Sequence, residues 1–273
     1  MGIAEDIAGE GGWHVALAAL AWQHDLGVTE VIGDAPLNRY ELAEAAPVPA
    51  QEAVAVTLPA RAVASAANVQ PAGPPADAVA QDVAGRAASL AELRSALEGF
   101  ERCELKRGAK ATVFATGNPA ARVMVIGEAP GRDEDAEGRP FIGRMGLMLD
   151  RMFAAIGMGR DHPDPAHALY LTTLMPWRTP QDRDPSPDEI AMMLPFLARH
   201  VELAAPDLIV VMGNMPCQAV LGRGGITRMR GEWAEGLGRP VLPMLHPAYL
   251  LRNPAAKREA WADLLTLQAR LRE

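Results

Sequence analysis

Cysteine is almost absent from this chain: 273 residues hold two, Cys103 and Cys217, at no paired spacing. That excludes a disulfide-stapled scaffold and fits a reducing compartment, so a cytoplasmic location is expected. No apolar run approaches the 18 residues of a membrane-spanning helix, and the apolar stretch 13–22 follows Glu5, Asp6 and Glu10 instead of a basic segment. Neither membrane insertion nor export is expected. The Gly-rich phosphate loop ending in Lys-Ser/Thr is missing too, which argues against an α/β nucleotide-binding enzyme. Internal repeats are not visible.

Cations are scarce in the first third. Residues 1–99 carry four Lys+Arg against 13 Asp+Glu, a net of −9, and the remaining residues carry 22 against 21, a net of +1. The overall −8 therefore belongs to the N-terminal part. A near-neutral remainder is still compatible with nucleic acid, because phosphate neutralisation depends on where cations converge.

Three regions follow from composition. Residues 1–44 form a helical extension, with Trp13, Ala16, Leu17, Leu20, Ala21 and Leu26 on one stripe of a helix over 11–28. Such a helix would dock on the main domain or on a protein partner. Residues 45–88 are rich in Ala, Pro, Val and Gln around Pro71-Ala-Gly-Pro-Pro75 and read as a flexible linker. Residues 89–273 form the main domain. Here helices are expected over 89–103, 144–156, 187–203, 214–222 and 257–270, and short apolar strands over 123–127, 168–174, 207–213 and 240–245. Strands alternating with helices imply a three-layer αβα sandwich around a central, mainly parallel four-stranded sheet.

In such a sheet, ligands bind beyond the carboxyl ends of the strands. Three of those ends carry chemistry. After the first strand come Gly127-Glu-Ala-Pro-Gly131, an acidic cluster (Asp133, Glu134, Asp135, Glu137) and Gly138-Arg-Pro-Phe-Ile-Gly-Arg144. The second strand leads to Thr172, Thr173, Trp177 and Arg178, and the fourth to His246-Pro-Ala-Tyr-Leu-Leu-Arg252.

The first and last of these segments, in this order, closely resemble the terminal motifs of the uracil-DNA glycosylase superfamily, in its family-4 branch. The resemblance runs from about Leu97 to Leu271 and also covers residues 117–122 and 177–185. It implies a monofunctional DNA-repair glycosylase that flips a damaged nucleotide out of the helix and hydrolyses the N-glycosidic bond of uracil or a related deaminated base. A non-catalytic DNA-damage-binding module on the same fold is the alternative. The roles it implies are catalytic for His246, as donor to the departing base, and for Glu128 or Glu134, as the anion beside the sugar. Base binding falls to Gly127, Ala129, Pro130, Phe141 and Thr173, with Phe141 the stacking ring. DNA contacts fall to Arg139, Arg144, Arg178, Tyr249, Leu250, Leu251 and Arg252, the two leucines as wedges into the base stack. The expected partner is DNA carrying a damaged base, bound by a monomer.

The sequence departs from this pattern twice. The branch holds an iron-sulfur cluster on four cysteines, whose positions here fall on Phe100, Cys103, the Met175-Pro176 neighbourhood and Met193. One thiolate cannot hold a four-iron cluster, so no metal and no cofactor are expected, with apolar packing in the cluster's place. The second departure is Thr173, which stands where an Asn usually reads the uracil edge; a hydroxyl offers less geometric control than an amide.

Overall fold

The computed structural model describes residues 76–272. The extension expected over 1–44 and the linker as far as residue 75 lie outside the described residues.

The linker assignment fails at its C-terminal end. Ala76–Gly85 is a helix (α1), with Ala80 and Ala84 buried in the core. The composition that argued for a tether, small side chains without bulk, is what lets a helix backbone come close to a neighbour. α1 packs against α6 (Pro187–Ala204), and the Arg199 side chain of α6 donates to the Ala87 carbonyl at 2.8 and 3.0 Å.

Helix α2 (Leu90–Glu98) starts at Ser89, whose Oγ accepts the Glu92 N–H at 3.2 Å. A four-residue turn of helix follows (α3, Leu105–Gly108). Then come β1 (Ala115–Gly117), β2 (Val123–Gly127), α4 (Arg132–Glu137), α5 (Gly143–Ala154) and β3 (Leu169–Thr173). After α6 come β4 (Leu208–Met212), α7 (Asn214–Leu221), α8 (Ile226–Met229), β5 (Ala234–Gly236), β6 (Arg239–Met244), α9 (Pro247–Arg252) and α10 (Lys257–Leu271). α6 begins with a reciprocal cap: Ser186 Oγ accepts the Glu189 N–H at 3.2 Å, and Glu189 accepts the Ser186 N–H at 2.7 Å.

The sheet has six strands in the order β1-β3-β2-β4-β6-β5. Its four inner strands are the expected ones, all parallel to one another, and a three-residue strand pairs antiparallel at each edge. These edge strands carry no alternation long enough to read in the sequence. β2, β3 and β4 are buried at every position, which is why they appear as unbroken apolar runs.

Alternate residues of each strand feed opposite layers. Met124, Ile126, Ile209 and Val211 join the core beneath α1, α2, α6 and α7, whereas Val123, Val125, Val210 and Leu242 join the one beneath α5, α9 and α10. The register aligns Gly127 with Thr173 and Met212 with Met244, so the carboxyl ends of the inner strands open along one edge. The three-layer αβα sandwich is therefore as expected.

Two buried polar pairs brace the layers. The Tyr170 hydroxyl and His200 Nε2 are hydrogen-bonded at 2.9 Å, with Phe114 stacked on the imidazole. Burial holds this histidine neutral, its pKa down to about 3, and pushes the phenol up to about 12. On the other side Arg230, following α8, is bonded to Asp263 of α10 through Nε at 2.9 Å and also through Nη2, and caps the Glu259 carbonyl at 2.7 Å. Asp263 is 1% exposed. Replacing Asp263 by Ala strands a mostly buried guanidinium and should cost about 3 kcal/mol of stability, measured by urea unfolding.

Candidate active site

The β2 and β6 ends and the N-terminus of α7 enclose a cleft of about 550 Å³. Its walls include Glu128, Ala129, Pro130, His246, Tyr249 and Arg252 from the expected set. Asn214, Met215, Met145, Thr227 and the segment Asp182–Pro185 line it as well. Of this second group, only Asp182–Pro185 is marked in the sequence, as part of the segment 177–185 that the resemblance covers, and without a role. Asn214 was recognisable only as the start of a helix after the third inner strand, at the same sheet edge as Glu128.

Glu128 is the first residue past β2. The Met175 N–H fixes its carbonyl at 3.0 Å, and its side chain crosses to the end of β4. There the backbone N–H groups of Asn214 and Met215, at the start of α7, face the carboxylate, the latter at 3.5 Å. Gly213, at φ 103°, makes this approach feasible, since a Cβ there would stand 2.3 Å from Glu128 Oε1. Helix-terminal donors and Arg252 favour the anion; loss of solvent outweighs them, with Asp184 acting in the same direction, and the pKa lies above its usual value.

His246 caps α9. Its Nδ1 accepts the Ala248 N–H at 3.2 Å, so the ring proton must reside on Nε2, which has no partner among the described residues. Burial first, then the Arg252 charge, lowers the imidazole pKa to about 4. The ring is thus a neutral donor facing the cleft. Unfolded histidine binds a proton near 6.5 and the folded ring resists one down to about 4, so its contribution to stability is lost as pH falls through that window.

Phe141 lies behind the cleft wall, 3% exposed, with its ring centroid 6.0 Å from that of His246. The far end of its ring packs against Gly127, where a Cβ would come within 2.6 Å of Cζ. The structure thus gathers Glu128, Phe141 and His246 around one site.

Several expected residues have other duties. Both oxygens of Glu134 are taken by the backbone: the Gly131 N–H at 2.6 Å and the Phe141 N–H at 2.5 Å. The acidic cluster is a capped helix, α4, and Glu134 holds the loop that carries Phe141 instead of facing the cleft. Thr173 is also turned away; its hydroxyl donates to the Met175 carbonyl at 2.7 Å and it does not line the cleft.

Leu250 cannot act as a wedge where it stands. Residues 247–252 are a helix, and Leu250 faces inward, 0% exposed, against Leu149 and its neighbours. Leu251, some 100° further round, stands out at 36% with Tyr249. Arg252 lies at the cleft and Arg144 at an adjoining hollow with Arg132 and Asp182. Arg139 pairs with Glu137 at 2.6 Å, and Arg178 grips Asp182 through two bonds of 2.8 and 3.1 Å.

The four positions matching cluster cysteines do not form a metal site. Phe100, Cys103, Met175 and Met193 are buried in one apolar core, with Phe100 edge-on to Phe196 at 5.2 Å. Burial keeps the Cys103 thiol protonated, and Cys217 lies on α7 beside Met229. Among the described residues no group of three or more His, Cys, Asp or Glu could hold a metal ion. This donor set does not fit an iron-sulfur cluster. Nor, among the described residues, is any helix long and apolar enough to cross a membrane.

Comparison with known proteins places the chain in a family. Over 184 residues the chain is 32% identical to the type-4 uracil-DNA glycosylase of Archaeoglobus fulgidus, covering 64% of this chain and 89% of that protein. It is 33% identical to the type-4 uracil-DNA glycosylase of Sulfurisphaera tokodaii over 62% of this chain and 79% of that protein. With that of Thermotoga maritima it shares 34% identity over 55% of this chain and 77% of the relative. A model of the uracil DNA glycosylase superfamily matches residues 114–265, which span β1 to most of α10 and every wall of the cleft. The chain belongs to the uracil DNA glycosylase superfamily.

Proposed function

We propose that this protein excises uracil from DNA by hydrolysing its N-glycosidic bond, without a metal cofactor. The observation that carries the reading is a desolvated carboxylate and a neutral imidazole donor on one cleft at the sheet edge, with the Phe141 ring buried directly behind the imidazole. The target carbon is inaccessible within a duplex, so the nucleotide is rotated out, at about a few kcal/mol, and enters the cleft toward Phe141, whose ring stands behind the wall and is reached by the base as the wall yields.

Bond breaking leaves positive charge on the sugar and negative charge on the base. His246 Nε2–H donates to the base oxygen where that negative charge collects, and Glu128 stabilises the sugar cation or orients the attacking water. Arg252, Tyr249 and Leu251 present cation, ring and wedge to the DNA. Glu134 acts through the Phe141 loop. With Thr173 turned away from the cleft, selection of uracil over other deaminated bases falls to the groups that line it.

Incubation with a uracil-containing single-stranded oligonucleotide, followed by alkali, tests this. Strand cleavage at the uracil is the expected result, and tight binding without cleavage would instead indicate a damage-binding module. Purified protein should also be colourless and contain no iron by elemental analysis; a brown protein with several irons per chain would overturn the cofactor-free reading.

A further inference from the structure

Phe141 is held in an unusual way. Its φ of 53° lies in the left-handed region, which a bulky aromatic residue avoids. Left free, the chain would relax and carry the ring off Gly127. The structure grips the peptide units on both sides. Glu134 takes the Phe141 N–H at 2.5 Å, and the Phe141 carbonyl accepts Arg160 Nη2 at 2.9 Å, lying so close to Gly146 of α5 that a Cβ there would stand 1.9 Å away. Arg160 also reaches the Pro140 carbonyl with Nη1 at 3.5 Å, while its Nε donates to Asp150 of α5 at 2.8 Å. The Arg160 side chain is 13% exposed. Its donors point into the protein, so it is not a phosphate contact.

We propose that Arg160, oriented by Asp150, is a positioning residue for excision: it locks the left-handed Phe141 backbone so that the ring stays beside His246. The proposal rests on the base-excision reading of the cleft. Arg160 touches neither substrate nor the reacting atoms. Its effect is exerted through the placement of one ring, and displacement of a substrate-contacting group by about 1 Å can cost roughly a hundredfold in rate.

The test is a double-mutant cycle between Arg160→Ala and Phe141→Ala, read as single-turnover uracil excision, with affinity for undamaged DNA measured alongside. Arg160→Ala should lower the excision rate by about a hundredfold with DNA affinity unchanged, and should add almost nothing in the Phe141→Ala background. Arg160→Lys, which keeps one donor, should recover part of the loss. Full additivity with Phe141→Ala, or a normal rate in Arg160→Ala, overturns the proposal. A crystal structure of Arg160→Ala gives an answer independent of activity: Phe141 outside the left-handed region supports the lock, and an unmoved Phe141 refutes it. Failure of the unaltered protein to release any base would count against the excision reading instead.

Discussion

His246→Ala should slow uracil excision by about two to three powers of ten, the usual loss when one donor to a developing anion is removed. The imidazole has two jobs that substitution can separate. Nδ1 accepts the Ala248 N–H and starts α9, and Nε2–H faces the cleft. Loss of the cap alone costs about 1 kcal/mol. His246→Asn supplies a side chain well suited to capping, so it should melt close to the unaltered protein and still be strongly impaired in excision. If either variant excises at a near-normal rate, His246 is not the donor. Because the ring is neutral well below physiological pH, its donor role should persist across the range in which ordinary histidines titrate.

Glu128→Gln should have a comparably large effect, about a hundredfold or more, because it removes the anion beside the sugar and keeps the shape. It also makes a pH argument testable. Burial raises the Glu128 pKa above its usual 4.5, whereas His246 is lowered to about 4. As pH falls, the carboxylate is therefore neutralised before the imidazole is charged. The rate of excision should decline at an apparent pKa above 4.5, and that limb should vanish from the residual activity of Glu128→Gln. A limb that survives the substitution would assign it to another group.

Most of the inner sheet could be read from the sequence because parallel strands buried on both faces advertise themselves as short apolar runs closed by Gly or a cap. The acid and imidazole were legible for a related reason: each stands immediately after such a strand, and Phe141 follows within the first of these motifs. What escaped reading has physical causes. α1 buries alanines, whose small size resembles a linker until a partner helix is known. Leu250 and Leu251 are adjacent letters of one motif, and only the helical twist separates the buried from the exposed. Thr173 and Glu134 are both polar residues in the right neighbourhood, and each is satisfied by the nearby main chain instead of facing the cleft. Asn214 and Arg160 depend on contacts that no local pattern encodes.

The donors that face Glu128 come from the main chain at the start of α7. Main-chain hydrogens remain whatever side chain stands at their position, proline excepted. The main-chain donors of residues 214 and 215 would therefore survive a change of side chain there, although the Asn214 side chain has its own duty in accepting the Gly225 N–H at 2.7 Å, whereas at Gly213 even one methyl group would occupy the carboxylate's space.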